Sequence, residues 1–330
     1  MFDPGIQGHQ RVRERLAERV ASGKLPGALL LAGPVAVGKQ RVALELAQRE
    51  LCFRRSACGT CAGCAPFKAD PLPVELPNLL RIAPEGKAGL IKVGAVRGDD
   101  LVEGGVIAWV HQAALPGTHR WILVEDAHRL NGPSANMLLK TLEEPPPGAH
   151  FLLVTHRPDA VLQTIRSRAE RLVLGPLAEA EAWAVAEAAG WEPSQRKAWS
   201  ALAGGTLRYL DPEVFDHASA QLEAWIDLAE GGTFATAGEV LIPDKDSPIA
   251  QSVQVGEALE MLLRILAEAG RLAAGRPGFL GPWSERVGRL GLEASRVKEV
   301  QEAVHRNQRN LARNPYAESL LREVALLLVR

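Results

Sequence analysis

The sequence predicts an α/β fold built on a parallel sheet, followed by segments that are helical only. Three apolar runs carry that expectation: Ala28-Leu29-Leu30-Leu31-Ala32, Trp121-Ile122-Leu123-Val124 and Phe151-Leu152-Leu153-Val154. Each has strand length, and helical stretches separate them, the pattern of strands buried on both faces. Each is followed by a residue capable of chemistry or of a tight loop: Gly33, Glu125 or Thr155. In sheets of this kind ligands bind beyond the carboxyl ends of the strands.

Taken in order, Val12 to Val20 is an amphipathic helix, charged on one side and ended by Gly23 and Pro26. The first strand follows, then helical composition from Arg41 to Leu51. Beyond Leu172-Val173-Leu174-Gly175-Pro176 no further buried strand is evident. Leu177 to Leu210, short and Ala-rich, suits a small helical unit, and Gly231 to Ser247 reads as a loop. Val253 to Ala273 and Arg296 to Val329 read as long amphipathic helices. The expected domains are 1–175, α/β with a cysteine module at 52–64; 176–213, small and helical; and 214–330, all helical. A length of 330 residues fits two or three cores.

Composition narrows the function classes. With 47% hydrophobic residues and a formal charge of −1, this is an ordinary globular chain. A near-neutral balance argues against gripping nucleic acid by bulk charge. No 18-residue apolar stretch free of charge is present, so no membrane span is expected. Met1-Phe2-Asp3-Pro4-Gly5 lacks the basic-then-apolar run of a signal peptide, and a cytoplasmic location is the expectation.

Gly33-Pro34-Val35-Ala36-Val37-Gly38-Lys39-Gln40 lies between the first strand and a helix. It matches G-x-x-x-x-G-K, a loop whose backbone N–H groups cradle phosphates. Gly33 and Gly38 permit the turn, Lys39 adds charge beside the phosphates, and the helix N-terminus adds its dipole. Gln40 stands where Ser or Thr would supply a hydroxyl to Mg²⁺, and a longer amide must then satisfy a strict octahedral ion. ATP with Mg²⁺ and an empty but shaped loop both remain open. Glu125-Asp126 follows the second strand. A working ATPase places Asp and then Glu there, one for the metal and one for the attacking water. Here the order is reversed and each acid is displaced by one methylene, which predicts impaired hydrolysis. The bland alternative is a pair of acids stabilising the next helix N-terminus.

All four cysteines, Cys52, Cys58, Cys61 and Cys64, fall in one segment with spacing C-x5-C-x2-C-x2-C. Four thiolates close a tetrahedral structural Zn²⁺ site with no open position. Disulfides are the alternative, disfavoured in a reducing compartment.

Several segments together resemble a known family. Ile6-x-Gly8-His9 and Gly23-x-Leu25-Pro26-x-Ala28 precede the phosphate loop. Ala135-Asn136-x-Leu138-Leu139-Lys140-Thr141-Leu142-Glu143-Glu144-Pro145-Pro146 follows the acids, then Thr164-Ile165-Arg166-Ser167-Arg168, and near the end Arg313-Asn314-Pro315. This order is similar to the bacterial DNA polymerase III clamp-loader subunits of the AAA+ class. The degenerate loop and acid pair resemble the delta-prime type more than the gamma/tau type, and the first Cys spacing is shorter than the family pattern. The resemblance implies an AAA+ domain, a small lid and a helical collar. It implies a stator within a hetero-oligomer containing gamma/tau and delta, loading a sliding clamp onto primer-template DNA, with little ATPase activity of its own. By the same resemblance Arg168 is an arginine finger acting in trans, Thr155 is a strand-end sensor, and Arg208, in Gly204-Gly205-Thr206-Leu207-Arg208, faces the chain's own pocket. The helix carrying Asn136 and Lys140 reads mainly as fold and interface, with Leu138, Leu139 and Leu142 as its buried stripe. A gamma-like motor and a zinc-dependent nucleic-acid-binding protein are the alternative functions.

Overall fold

The computed structural model describes residues 8–69, 72–85, 89–91, 94, 96, 105–112, 114, 117–243, 248–311 and 317–329. Ile6 and Arg313-Asn314-Pro315, both named above, lie outside the described residues. The chain forms two compact units: 1–188 with 205–207, and 189–204 with 208–330. This division differs from the boundary expected at 176: the helix Glu179–Ala188 goes with the first unit and the helix Arg196–Ala203 with the second.

The first unit is a sheet between two helical layers. Strands β1 (Ala28–Ala32), β2 (Glu75–Leu76), β3 (Leu79–Ile82), β4 (Arg120–Val124), β5 (Ala149–Thr155) and β6 (Glu170–Val173) lie in the order β2-β3-β4-β5-β1-β6. All neighbours are parallel except β2 and β3. The three expected strands are present, β4 and β5 slightly longer than the apolar runs. Strand period two sends alternate residues to opposite faces. Leu30, Ile122, Val124, Phe151 and Leu153 join one core with the helix Gly132–Glu143; Leu29, Leu31, Leu123, Leu152 and Val154 join the other with helices α1 (Gln10–Ala21) and α2 (Lys39–Leu51).

Three strands were not anticipated. β6 is an edge strand whose residues are half-buried or exposed, so it lacks an apolar run; its Glu170 pairs with Arg19 of α1 at 2.6 Å. β2 and β3 are short, and β3 carries Arg81 within its apolar sequence. Two further expectations need correction. The stretch 231–247 is not all loop: Phe234–Leu241 is a helix, capped by the Thr233 side chain and burying Ala237, Gly238 and Leu241. Arg296 to Val329 is not one helix but two, Ala294–Asn310 and Ala317–Val329.

All seven tryptophans are buried: Trp109, Trp121, Trp183, Trp191, Trp199, Trp225 and Trp283. Six of their indole N–H groups have a named acceptor, including Glu75 for Trp109, Glu50 for Trp121 and the Ala258 carbonyl for Trp225, each at 2.8 Å. The high Trp content is therefore core architecture. No described helix is long and apolar enough to cross a membrane.

Gly33 follows β1 and faces the backbone of Leu174, the residue after β6. A Cβ there would collide with the carbonyl oxygen of Leu174, a backbone atom that cannot swing aside. Gly33→Ala is expected to destabilise the chain by about 1–3 kcal/mol through backbone displacement, read as a lower urea midpoint; Gly132→Ala, with open space around it, serves as the control.

Candidate functional site

The carboxyl edge of the sheet gathers the loop after β1 and the residues that end β4 and β5. Gly38 adopts a left-handed conformation, φ 93°, and N-caps α2, so Lys39 begins the helix. His9 reaches the loop from before α1, its Nε2 2.7 Å from the Val37 carbonyl oxygen. Arg13 and Glu45 form a buried ion pair at 2.7 Å that fixes α1 to α2. The returning segment 205–207 also docks here, Leu207 N donating to the Ala36 carbonyl at 2.7 Å. Lys39 is buried and folds back, Nζ donating to the carbonyls of Gly33, at 2.9 Å, and Pro34. Burial pushes its ammonium down to about 8, against the opposing effect of Asp126.

The two acids have separate surroundings. Three donors converge on Oε1 of Glu125: Gln40 Nε2 at 2.9 Å, Arg81 Nε at 2.8 Å and Arg81 Nη2 at 2.6 Å. Arg81 is held by its place on β3, and Glu125 by the bond from its N–H to the Ile82 carbonyl at 2.8 Å. A guanidinium thus sits against the carboxylate where an ATPase would hold its metal, and Gln40 turns its amide to the same oxygen. This donor set does not suit Mg²⁺, which needs unencumbered oxygens in octahedral array.

Asp126 is in the left-handed region, φ 47°, and points elsewhere, its Oδ1 3.2 Å from His156 Nδ1 and 3.9 Å from His128 Nδ1. Thr155 ends β5 fully buried; its carbonyl accepts from Gly33 N at 3.3 Å, and its hydroxyl accepts from Arg157 N at 3.0 Å and lies 3.1 Å from His128 Nδ1. Burial first, then the neighbouring His156, pushes His128 below the usual imidazole range. Sequence reasoning missed Arg81, His128 and His156. The only signal was position: both histidines lie just beyond strand ends, and Arg81 interrupts an apolar run.

The two arginines that the sequence singled out, Arg168 and Arg208, are both paired. Arg168 follows the short helix Gln163–Arg166 and donates through Nη2 to Glu143 Oε1 and through Nη1 to the Thr164 carbonyl at 2.9 Å. Its Nε finds no acceptor among the described residues, and its side chain is 29% exposed. Arg208 belongs to the second unit, bound to Glu260 at 2.7 Å and Glu257 at 3.3 Å. The helix Gly132–Glu143 starts at Asn131, whose side chain accepts from Ser134 N at 2.9 Å. It buries Leu138 and Leu142, leaves Leu139 half-buried, and exposes Asn136 and Lys140.

The four cysteine sulfurs lie within 4.8 Å of one another. Cys61 Sγ is 3.6 Å from Cys64 Sγ and 3.9 Å from Cys52 Sγ. Zn–S bonds of about 2.3 Å place tetrahedral sulfurs about 3.8 Å apart, whereas a disulfide needs about 2.05 Å. All four thiols are free, and the donor set fits a tetrahedral cation. Gly63 lets this segment fold against α2, since a Cβ there would collide with the Leu51 carbonyl. Hydrogen bonds from Thr60 hold the Cys58 thiol down to about 5, while burial pushes Cys64 up to about 12.

Comparisons with known proteins agree with this architecture. The family described as DNA polymerase III, delta subunit, matches residues 8–178, just over half of the chain. DNA polymerase III subunit delta′ of Pseudomonas aeruginosa is 37% identical over 141 residues, 43% of this chain and 40% of that protein. The Escherichia coli delta′ subunit is 32% identical over 166 residues, 49% of this chain and 46% of that protein. The Salmonella typhimurium tau subunit is 31% identical over 166 residues, 49% of this chain and 24% of that protein. The matched stretch therefore spans less than half the length of these relatives. Among solved structures, a DNA polymerase III gamma subunit-related protein from Thermotoga maritima shares the fold, with a TM-score of 0.55 and 16% identity over 96% of this chain and 98% of that one.

If the cysteines hold a structural cation, chelation should lower the thermal midpoint and expose the thiols to a thiol reagent, with about one equivalent of metal released. Affinity should fall as pH drops, because protons compete for the thiolates. Unchanged stability and thiol reactivity after complete metal removal would count against it.

Proposed function

Because this chain belongs to the DNA polymerase III delta-subunit family, we propose that it is the delta-prime-type stator of a clamp loader. In this reading its AAA+ domain is a scaffold. It assembles with gamma/tau and delta subunits in the cytoplasm, and the complex uses ATP on neighbouring subunits to place a sliding clamp on primed DNA. The helical segment 214–330 serves as a collar for assembly, and 176–213 as a small lid. The cysteine module holds a structural Zn²⁺ through Cys52, Cys58, Cys61 and Cys64; when bound, the ion cross-links a segment too short to build its own core.

One observation carries the choice of stator over motor: Arg81 and Gln40 both engage Glu125. The carboxylate that an ATPase reserves for a metal already has its counter-charge inside the protein. Lys39, folded onto the Gly33 and Pro34 carbonyls, is likewise self-satisfied. A gamma-like motor would need these contacts broken before each turnover.

Arg168 acts outward in this reading. Glu143 and the Thr164 carbonyl hold its guanidinium in a defined position, with the side chain partly exposed. Such a planar cation can stabilise charge developing on a phosphoryl group bound by the adjacent subunit.

Two measurements test the proposal. In a reconstituted complex, Arg168→Ala should leave assembly intact and reduce turnover at the site it serves by roughly 10³-fold, with Arg168→Lys failing to restore it. Full turnover in a well-assembled variant complex would remove the finger role. The isolated chain should hydrolyse ATP at background rate, unchanged by Lys39→Ala; brisk hydrolysis lost in that variant would identify a motor instead.

A further inference from the structure

Asp126, His128 and His156 form a second group of convergent donors, separate from the cysteines. The ends of two adjacent strands bring them together. β4 and β5 pair in parallel with Val124 opposite Leu153, so the residues that follow each strand emerge side by side. Asp126 comes two residues after β4, and its left-handed backbone turns the chain into the short turn Ala127–Arg129, which presents His128. His156 is the first residue beyond β5. The two imidazoles meet edge to face, centroids 4.5 Å apart and planes at 79°.

We propose that these three side chains are a binding site for a divalent transition-metal ion of the zinc, nickel or cobalt class. One ring nitrogen of His128, one of His156 and a carboxylate oxygen of Asp126 lie within 4.8 Å of one another, and both Nδ1 atoms face Asp126 Oδ1. Metal–ligand bonds of about 2.0–2.1 Å put tetrahedral donors about 3.3 Å apart. The His156–Asp126 separation of 3.2 Å already meets this, and the His128–Asp126 separation of 3.9 Å needs only a small closure. His128 exchanges its contact with the Thr155 hydroxyl, 3.1 Å away, for the ion.

The surroundings select the ion. Arg129 and Arg157 lie near enough to act electrostatically on His128 and oppose any cation held by charge alone. One carboxylate and two imidazoles therefore favour a borderline ion that gains from nitrogen ligation, and disfavour Mg²⁺ and Ca²⁺. These side chains fill three tetrahedral positions, and the Asp126 side chain, 40% exposed, lets solvent reach the cluster. Three protein ligands and an open fourth position are the arrangement of an exchangeable site, unlike four sulfurs. This inference does not depend on the clamp-loader reading.

The test uses the full chain as purified, with its metal content first measured and the cysteine site saturated with Zn²⁺. Titration of that protein with Co²⁺ or Ni²⁺ should reveal one further equivalent. Added Co²⁺ should give the weak visible bands of nitrogen and oxygen ligation, with no thiolate charge-transfer band. His156→Ala and His128→Ala should each weaken binding at least tenfold while leaving the zinc equivalent and the circular dichroism spectrum unchanged. His156→Gln separates loss of the ligand from loss of packing, since it too should lose the ion. The proposal fails if no second equivalent binds to the folded wild-type chain, or if the added cobalt enters thiolate coordination. It fails equally if Mg²⁺ displaces the ion at equal concentration, or if the folded double histidine variant still binds it.

Discussion

β1 is hydrogen-bonded on both sides, to β5 and to β6, and its ladder ends with Ala32 opposite Thr155 and Val173. That register sets the level at which every loop of the site departs. Gly33 leaves β1 under the Leu174 backbone and donates to the Thr155 carbonyl, so the phosphate-type loop starts from one height and direction. The β4–β5 pairing does the same for Glu125, Asp126 and His156. A one-residue slip of β5 would reverse its faces, sending Leu153 and Val154 to the wrong cores and separating Asp126 from His156. The burial of both faces therefore holds the site as well as the fold.

Internal compensation of charge is the second theme. Glu125 is answered by Arg81 and Gln40, Lys39 by two carbonyls, Arg208 by two glutamates and Arg168 by Glu143. Such pairs satisfy groups that would be costly to bury alone. They differ in how far they remain open to a partner. Lys39 is buried and turned inward, whereas the Arg168 side chain is partly exposed.

What was legible in the sequence was local in origin. β1, β4 and β5 announced themselves because strands covered on both faces must be apolar throughout. The phosphate loop was legible because its glycines and lysine are contiguous, and the cysteines because a metal site within a short loop needs close spacing. The edge strand β6 was not, since half of it faces outward, and neither was the helix Phe234–Leu241, whose Gly238 weakens the helical signal. Arg81 stood 44 positions from its partner, with no local pattern to connect them.

The amino-acid order by itself determined the α/β class, the loop shape at 33–40, the four-sulfur cluster and the membership signals at Gly132–Glu143 and Arg168. Each depends on residues near one another along the chain, whose backbone propensities and spacing act without reference to the rest. Only the tertiary structure decided which carboxylate meets which cation. It put Arg81 on Glu125, turned Asp126 toward two histidines, and assigned Arg208 to glutamates of the second unit. Those outcomes follow from strand order and from a backbone turn at one residue, which bring distant side chains within hydrogen-bond reach. Electrostatic partnership falls off with distance in space, and sequence separation carries no information about it.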